Sequence, residues 1–233
     1  MHDTAMMNAK MFVESYLKDG VGIKLADIGA QNVTGSIKDF CPANIQYTGV
    51  DFVDGKGVDV ILKDPYNLPF EDNTFDVVTA SSCFEHSEFF WELFLEMLRI
   101  SKNDGLIYIN TPSNGKYHRY PVDCWRFYPD SGQALSNYGN KKGYNCTLIE
   151  SYTSNQVRSW NDFVCIIVKN KIYANKYKYR ITDSFKKYTN GRSLIFTDNA
   201  YSIRNSNESK TPEDQKFIGW KINKFLSRLI TRS

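Results

Sequence analysis

Between Lys24 and Asn170, short apolar runs alternate with stretches of helical periodicity. That order builds a parallel sheet covered by helices and places the chain in the α/β class. Seven strands are predicted, at 24–29, 46–52, 58–62, 75–80, 106–110, 147–152 and 163–168. A helix is predicted over about 88–101, where Phe89, Leu93, Met97 and Ile100 keep a three-to-four-residue spacing. Asn103-Asp104-Gly105 is its expected stop, with Gly105 suited to a left-handed cap. A second helix is expected from near Pro129 to just before Gly139. Further on, Thr211 offers a capping hydroxyl, Pro212 a first helical residue and Glu213 a first-turn acid, so a third helix is predicted over about 212–231. Its apolar stripe (Phe217, Ile218, Ile222, Phe225, Leu226, Leu229, Ile230) lies mostly apart from five Lys and Arg residues, making it basic and amphipathic.

Composition divides the chain. Residues 1–168 hold 14 Lys and Arg against 21 Asp and Glu, a charge of −7, while 169–233 hold 15 against 5, a charge of +10. The shift falls where the run DFVCIIVKN ends, which suggests a body over 1–170 and a basic extension over 171–233. Burial of a large apolar side chain is worth about 1.5–3 kcal/mol, so the stripe of the third helix needs a surface to cover it. Its own domain, a second copy of the chain, a partner enzyme and an anionic membrane surface are the choices, with protein first. No run reaches the roughly 18 apolar residues of a membrane span and the start lacks the order of a secretory signal, so a cytoplasmic protein is expected, at most peripheral to a membrane. The five cysteines are scattered without a CxxC pair, which points to reduced thiols rather than disulfides or zinc.

The chemistry gathers where predicted strands end. KLADIGAQNVTGS closes an apolar run with Asp27 and Gly29; glycine there admits dihedrals closed to other residues and lets a ligand approach the main chain, and Asp27 offers it an acceptor. The second strand ends in Asp51, 24 residues on, where an acid can hold two ribose hydroxyls. A third run ends in Asp64-Pro65 and a fourth in ASSCFEH, carrying Ser81, Ser82, Glu85 and His86. After the fifth strand, INTPSNGKYHRYPVDCWRFYPDSG crowds charged groups among aromatic rings. An insertion at the carboxyl end of a strand hangs over the ligand crevice, so this segment is expected to be a substrate lid. Tyr117, Arg119, Tyr120, Trp125 and Arg126 are its candidate acceptor contacts, because aromatic faces interleaved with polar groups suit sugars.

This order resembles the class I S-adenosylmethionine-dependent methyltransferases, in particular the type 11-like branch with an LPF.D.SFDVV stretch and an EH pair after the fourth strand. The resemblance covers about residues 22–170. It implies a Rossmann-like, seven-stranded, mostly parallel sheet with helices on both faces and an antiparallel last strand, and S-adenosyl-L-methionine as cofactor. Position by position it assigns Asp27 and Gly29 to the first motif, Asp51 with Phe52 to the ribose, Asp64 with Pro65 to the adenine, and Ser81, Ser82 and Glu85 to the methionine part. Where that family has DxGxGxG, this chain has Asp27-Ile28-Gly29-Ala30-Gln31-Asn32-Val33. The resemblance then leaves the methionine moiety to Ala30, Gln31 and the Thr34-Gly35-Ser36 turn. HRYPVDCWRFYPD is similar to a subgroup associated with surface-glycan biosynthesis, which implies a glycan hydroxyl as acceptor.

Such a hydroxyl has a pKa far above neutrality, so a base or a metal should assist its methylation. His118 is the candidate base, with Asp123 orienting it or acting itself, and His86 is the alternative. Glu85, Asp123 and His118 carry donors for a divalent ion, but their spacing matches no metal motif. A nicotinamide oxidoreductase should show GxGxxG, which Gly29-Ala30-Gln31-Asn32-Val33-Thr34 does not. A nucleic-acid module is suggested by the basic tail and its tyrosines, but the acidic body offers no broad phosphate-binding face, so no nucleic-acid partner is expected.

Overall fold

In the computed structural model, residues 1–18, 20–197 and 200–209 are described. The expected helix over 212–231 lies outside them. One mixed sheet organises the rest. Its strands are β1 (Lys24–Ile28), β2 (Gln46–Asp51), β3 (Val60–Ile61), β4 (Phe75–Ser81), β5 (Ser101–Pro112), β6 (Thr147–Ser154), β7 (Asp162–Val168), β8 (Tyr188–Thr197) and β9 (Ala200–Ser206). They lie in the order β3-β2-β1-β4-β5-β7-β6-β8-β9. The first five strands pair in parallel, and β7 runs antiparallel to both β5 and β6.

Alternation along each strand separates two apolar layers. Ala26, Val78, Ile107 and Cys165 face one side, where helices α2 (Phe90–Ile100) and α3 (Ser131–Lys141) cover them with Leu93, Phe94 and Leu135. Their neighbours Leu25, Val77, Leu106 and Val164 face the other, beside Phe12 of helix α1 (Asp3–Phe12), which continues as a π-helical turn, Val13–Leu17. Helices therefore lie on both faces.

Among the described residues nine strands replace the expected seven. The hairpin β8–β9 extends the sheet past Asn170 by pairing β8 antiparallel to β6, so the shift in charge does not mark the end of the sheet. The helix ends also differ from expectation. Ser101 already turns extended after α2 and its hydroxyl donates to the Met97 carbonyl at 2.7 Å. Asn103-Asp104-Gly105 instead lies within β5, where a Cβ on Gly105 would stand 3.0 Å from the Asp76 and Lys102 carbonyl oxygens. Gly139 falls inside α3 and lets it pack closely, since a Cβ there would be 2.8 Å from Cys146 Sγ. No helix among the described residues is long and apolar enough to cross a membrane.

Candidate functional site

A cleft of about 740 Å³ opens where β1, β2 and β4 end, bounded by the loops that follow them and by the segment after β5. Its first wall is the β1 loop. Gly29 has φ +78°, and a Cβ there would lie 2.9 Å from that of Cys83, so conformation and space both demand glycine. Asp27 is buried and accepts from the hydroxyls of Tyr47 and Thr79, each at 2.7 Å. Burial pushes its carboxyl up to about 6, against the pull of those two bonds. Asp51 accepts the Gln31 amide at 3.0 Å and the Val53 amide at 3.2 Å. The Gln31 side chain donates to the Asp54 carbonyl and accepts from the Tyr120 hydroxyl, which ties the lid to the β1 loop. Ala30, Gly35, Ser36, Phe52 and Pro65 also line the cleft. Asp64 does not; it accepts the Tyr66 amide at 2.8 Å.

The second wall is the end of β4. Ser82 holds φ +53°, an unusual conformation for a residue with a side chain, and such strain is retained chiefly at functional sites. The hydroxyls of Ser81 and Ser82 and one Glu85 oxygen, Oε1, are buried without a hydrogen-bond partner among the described residues. The other Glu85 oxygen accepts from Thr111 at 2.9 Å, and burial pushes this carboxyl up to about 8. Buried polar atoms are seldom left unpaired, so their gathering in one cleft marks a place for a polar ligand.

The lid supplies the third wall. The amides of Cys124 and Trp125 donate to the Glu85 carbonyl at 2.7 and 3.3 Å and hang the segment over the cleft. His118, Arg119 and Tyr120 line it; Tyr117, Asp123, Trp125 and Arg126 do not. Arg126 grips Asp123 with two bonds, 2.5 and 2.8 Å, and this pairing draws the Asp123 carboxyl down to about 2. Asp123 also accepts the His118 amide at 2.7 Å and stands 3.3 Å from His118 Nδ1. It therefore orients the lid and is no base, and Arg126 is spent on holding it. Trp125 donates to the Ser87 carbonyl and packs edge-on to Phe90, on the outer side of the lid.

His2 and Trp160 are among the cleft residues that escaped the sequence reading. His2 donates from Nε2 to Asp162 at 2.9 Å and stacks on Trp160 with centroids 5.0 Å apart. Trp160 also meets His118 at a steep angle, again at 5.0 Å, and His118 meets His86 at 4.9 Å. All three histidines of the chain thus line one cleft. Asp162 is fully buried, accepts from Asn110 at 3.1 Å and backs His2 without an arginine or lysine beside it among the described residues. The pattern DFVCIIV showed only the strand; helix α1 brings His2 to it.

Residues 22–109 match the family model described as a methyltransferase domain. No curated protein matches the chain. Among solved structures, it resembles the Burkholderia thailandensis 1,6-didemethyltoxoflavin-N1-methyltransferase with a TM-score of 0.57 at 15% identity, over 72% of this chain and 80% of that one. The fold is that of the class I methyltransferases. The YcgJ protein of Bacillus subtilis shares this class I fold (TM-score 0.51, 11% identity, 70% and 99% of the chains), and so does the cyclase SpnF (TM-score 0.52, 14% identity, 70% and 81%). In the class I fold the cleft at the strand ends is the ligand crevice, while the reaction is set by the residues that line it.

Proposed function

We propose that this chain is an S-adenosylmethionine-dependent methyltransferase that methylates a hydroxyl of a sugar or glycan. The observation that carries the reading is the division of one cleft into two halves. One half offers Gly29, Asp51 and the unpartnered Ser81 and Ser82 hydroxyls; the other gathers three histidines under an aromatic lid. The Burkholderia thailandensis structure binds S-adenosylhomocysteine together with its acceptor, 1,6-didemethyltoxoflavin, so this fold can hold both.

The cofactor fits the first half. Asp51 would hold the ribose and Gly29 with Ser81 and Ser82 the methionine part, and the bound sulfonium would supply an activated methyl group. The remaining task is to orient the acceptor, exclude water and remove a proton. Tyr120 and Arg119 line the cleft and would meet the acceptor there, and the Tyr120–Gln31 bond ties the lid to the β1 loop. His118 and His2 are the two rings placed to take the proton; only His2 has behind it a carboxylate not already claimed by arginine.

Cofactor at 100 times its dissociation constant adds about 2.7 kcal/mol, which should raise the melting midpoint by about 5–10 °C. S-adenosylmethionine should do this and NAD should not; the reverse would refute the assignment. Release of S-adenosylhomocysteine across a panel of glycosides then identifies the acceptor. Replacing His118 by Ala or His2 by Gln should lower turnover by about 10² while keeping the cofactor-induced shift. Wild-type turnover in both variants would remove these residues from the chemistry.

A further inference from the structure

Glu85, His86 and His118 bring one carboxylate oxygen and two imidazole nitrogens together, every donor atom within 4.8 Å of the others. Sequence reading paired Glu85 and His118 with Asp123, but Asp123 is held by Arg126 and His86 stands in its place. Glu85 is fully buried, and its Oε1 is left unpartnered 3.7 Å from His86 Nε2, too far for a hydrogen bond. Leaving such an atom bare in a folded interior is costly, and a cation held with the two imidazoles would satisfy it.

An acceptor stands beside Nδ1 of each imidazole. His86 Nδ1 meets the Val122 carbonyl, and His118 Nδ1 lies 3.3 Å from both the Lys116 carbonyl and Asp123 Oδ2. An acceptor behind Nδ1 keeps the proton there and leaves Nε2 bare, the arrangement that second-layer groups impose on metal-bound histidines. Asp123, fixed by Arg126, is then a positioning residue for His118.

We propose that Glu85, His86 and His118 bind a divalent first-row transition ion at the lid end of the cleft. Two imidazoles with one carboxylate suit such an ion better than magnesium or calcium, which favour oxygen donors. Three protein ligands leave a position open for water or an acceptor hydroxyl. Around zinc, with bonds of roughly 2.0–2.2 Å, tetrahedral donors stand about 3.3 Å apart, so loading draws the three inward. His118, on the lid and the most exposed of the three, is the ligand that moves. The use of the ion rests on the proposed methyl transfer, although its binding does not. A hydroxyl beside the ion loses its proton more readily, and His2 backed by Asp162 is the ring left to take it.

The test is stoichiometry on the untagged full chain, stripped with chelator and desalted after exposure to Zn²⁺ or Mn²⁺ alone. One ion per chain by elemental analysis is expected, with Co²⁺ giving the visible absorption of an ordered nitrogen and oxygen site. His118→Ala and Glu85→Gln should weaken zinc binding by more than about 100-fold by calorimetry, and His2→Gln should leave it unchanged. Circular dichroism shows whether each variant is folded, and the exposed His118 makes its alanine variant the safer of the two. Absence of stoichiometric metal, or binding that survives His118→Ala, overturns the proposal. The thermal response to S-adenosylmethionine is measured separately, so loss of the metal site and loss of the methyltransferase reading are distinguishable.

Discussion

Burial at the end of β1 works against the charge on Asp27, and the hydroxyls of Tyr47 and Thr79 work for it; burial is the larger effect and leaves the carboxyl at about 6 instead of its ordinary 3.8. The folded state therefore holds this proton more tightly than the unfolded chain. Its contribution to stability is fully present below about pH 4 and is lost as pH rises through 6, on the order of 3 kcal/mol over that span. In Asp27→Asn that part of the decline should vanish, which melting temperatures from pH 4 to 7 will read; parallel profiles for the two proteins would refute it. That Asp27, Gly29 and Asp51 line the cleft was legible in the sequence because a strand end delivers its last residues to the edge of the sheet. Asp123 and Arg126 were misread because the same charged, aromatic string serves equally well to bind a sugar or to pin a lid, and only their mutual bonds distinguish the two.

Among the elements, β8 and β9 were missed although Leu194 and Phe196, then Tyr201 and Ile203, alternate with other residues as strands do. The density of Lys and Asn around them masked the pattern. What fastens this region is Glu150 of β6, fully buried, which accepts from Tyr16 at 2.6 Å, from the Ile181 amide at 2.7 Å, and from the Thr182 amide and hydroxyl at 3.2 and 2.9 Å. These amides open the short helix α4 (Ile181–Ser184), so one carboxylate caps it and joins it to both α1's extension and the sheet. Glu150→Ala strands several buried donors and should cost about 3 kcal/mol or more in urea denaturation, with the S-adenosylmethionine shift retained because Glu150 does not line the cleft. A loss below about 1 kcal/mol would show that the hairpin is held by its strands alone.

For the molecule as a whole, charge and fold divide differently: residues 171–209 are basic yet complete the acidic body's sheet. A protein surface remains the proposed dock for the apolar stripe expected in 212–231, so the chain should stay in solution with anionic vesicles at physiological salt. Co-sedimentation abolished by deleting 211–233 would favour the membrane instead, where each Lys or Arg is worth about 1 kcal/mol. The first seven strands, the class of fold and most residues of the strand-end half of the cleft were readable along the chain, because burial on a sheet imposes a period of two and each loop follows its own strand. The histidine half was readable only in part, through His86 and His118, and its meeting with His2 and Trp160 was not. His2, His86, His118 and Trp160 are separated by up to 158 positions and meet only because α1 packs across β5 and β7 while the lid folds back over β4, a convergence of long-range contacts that leaves no local spacing to read.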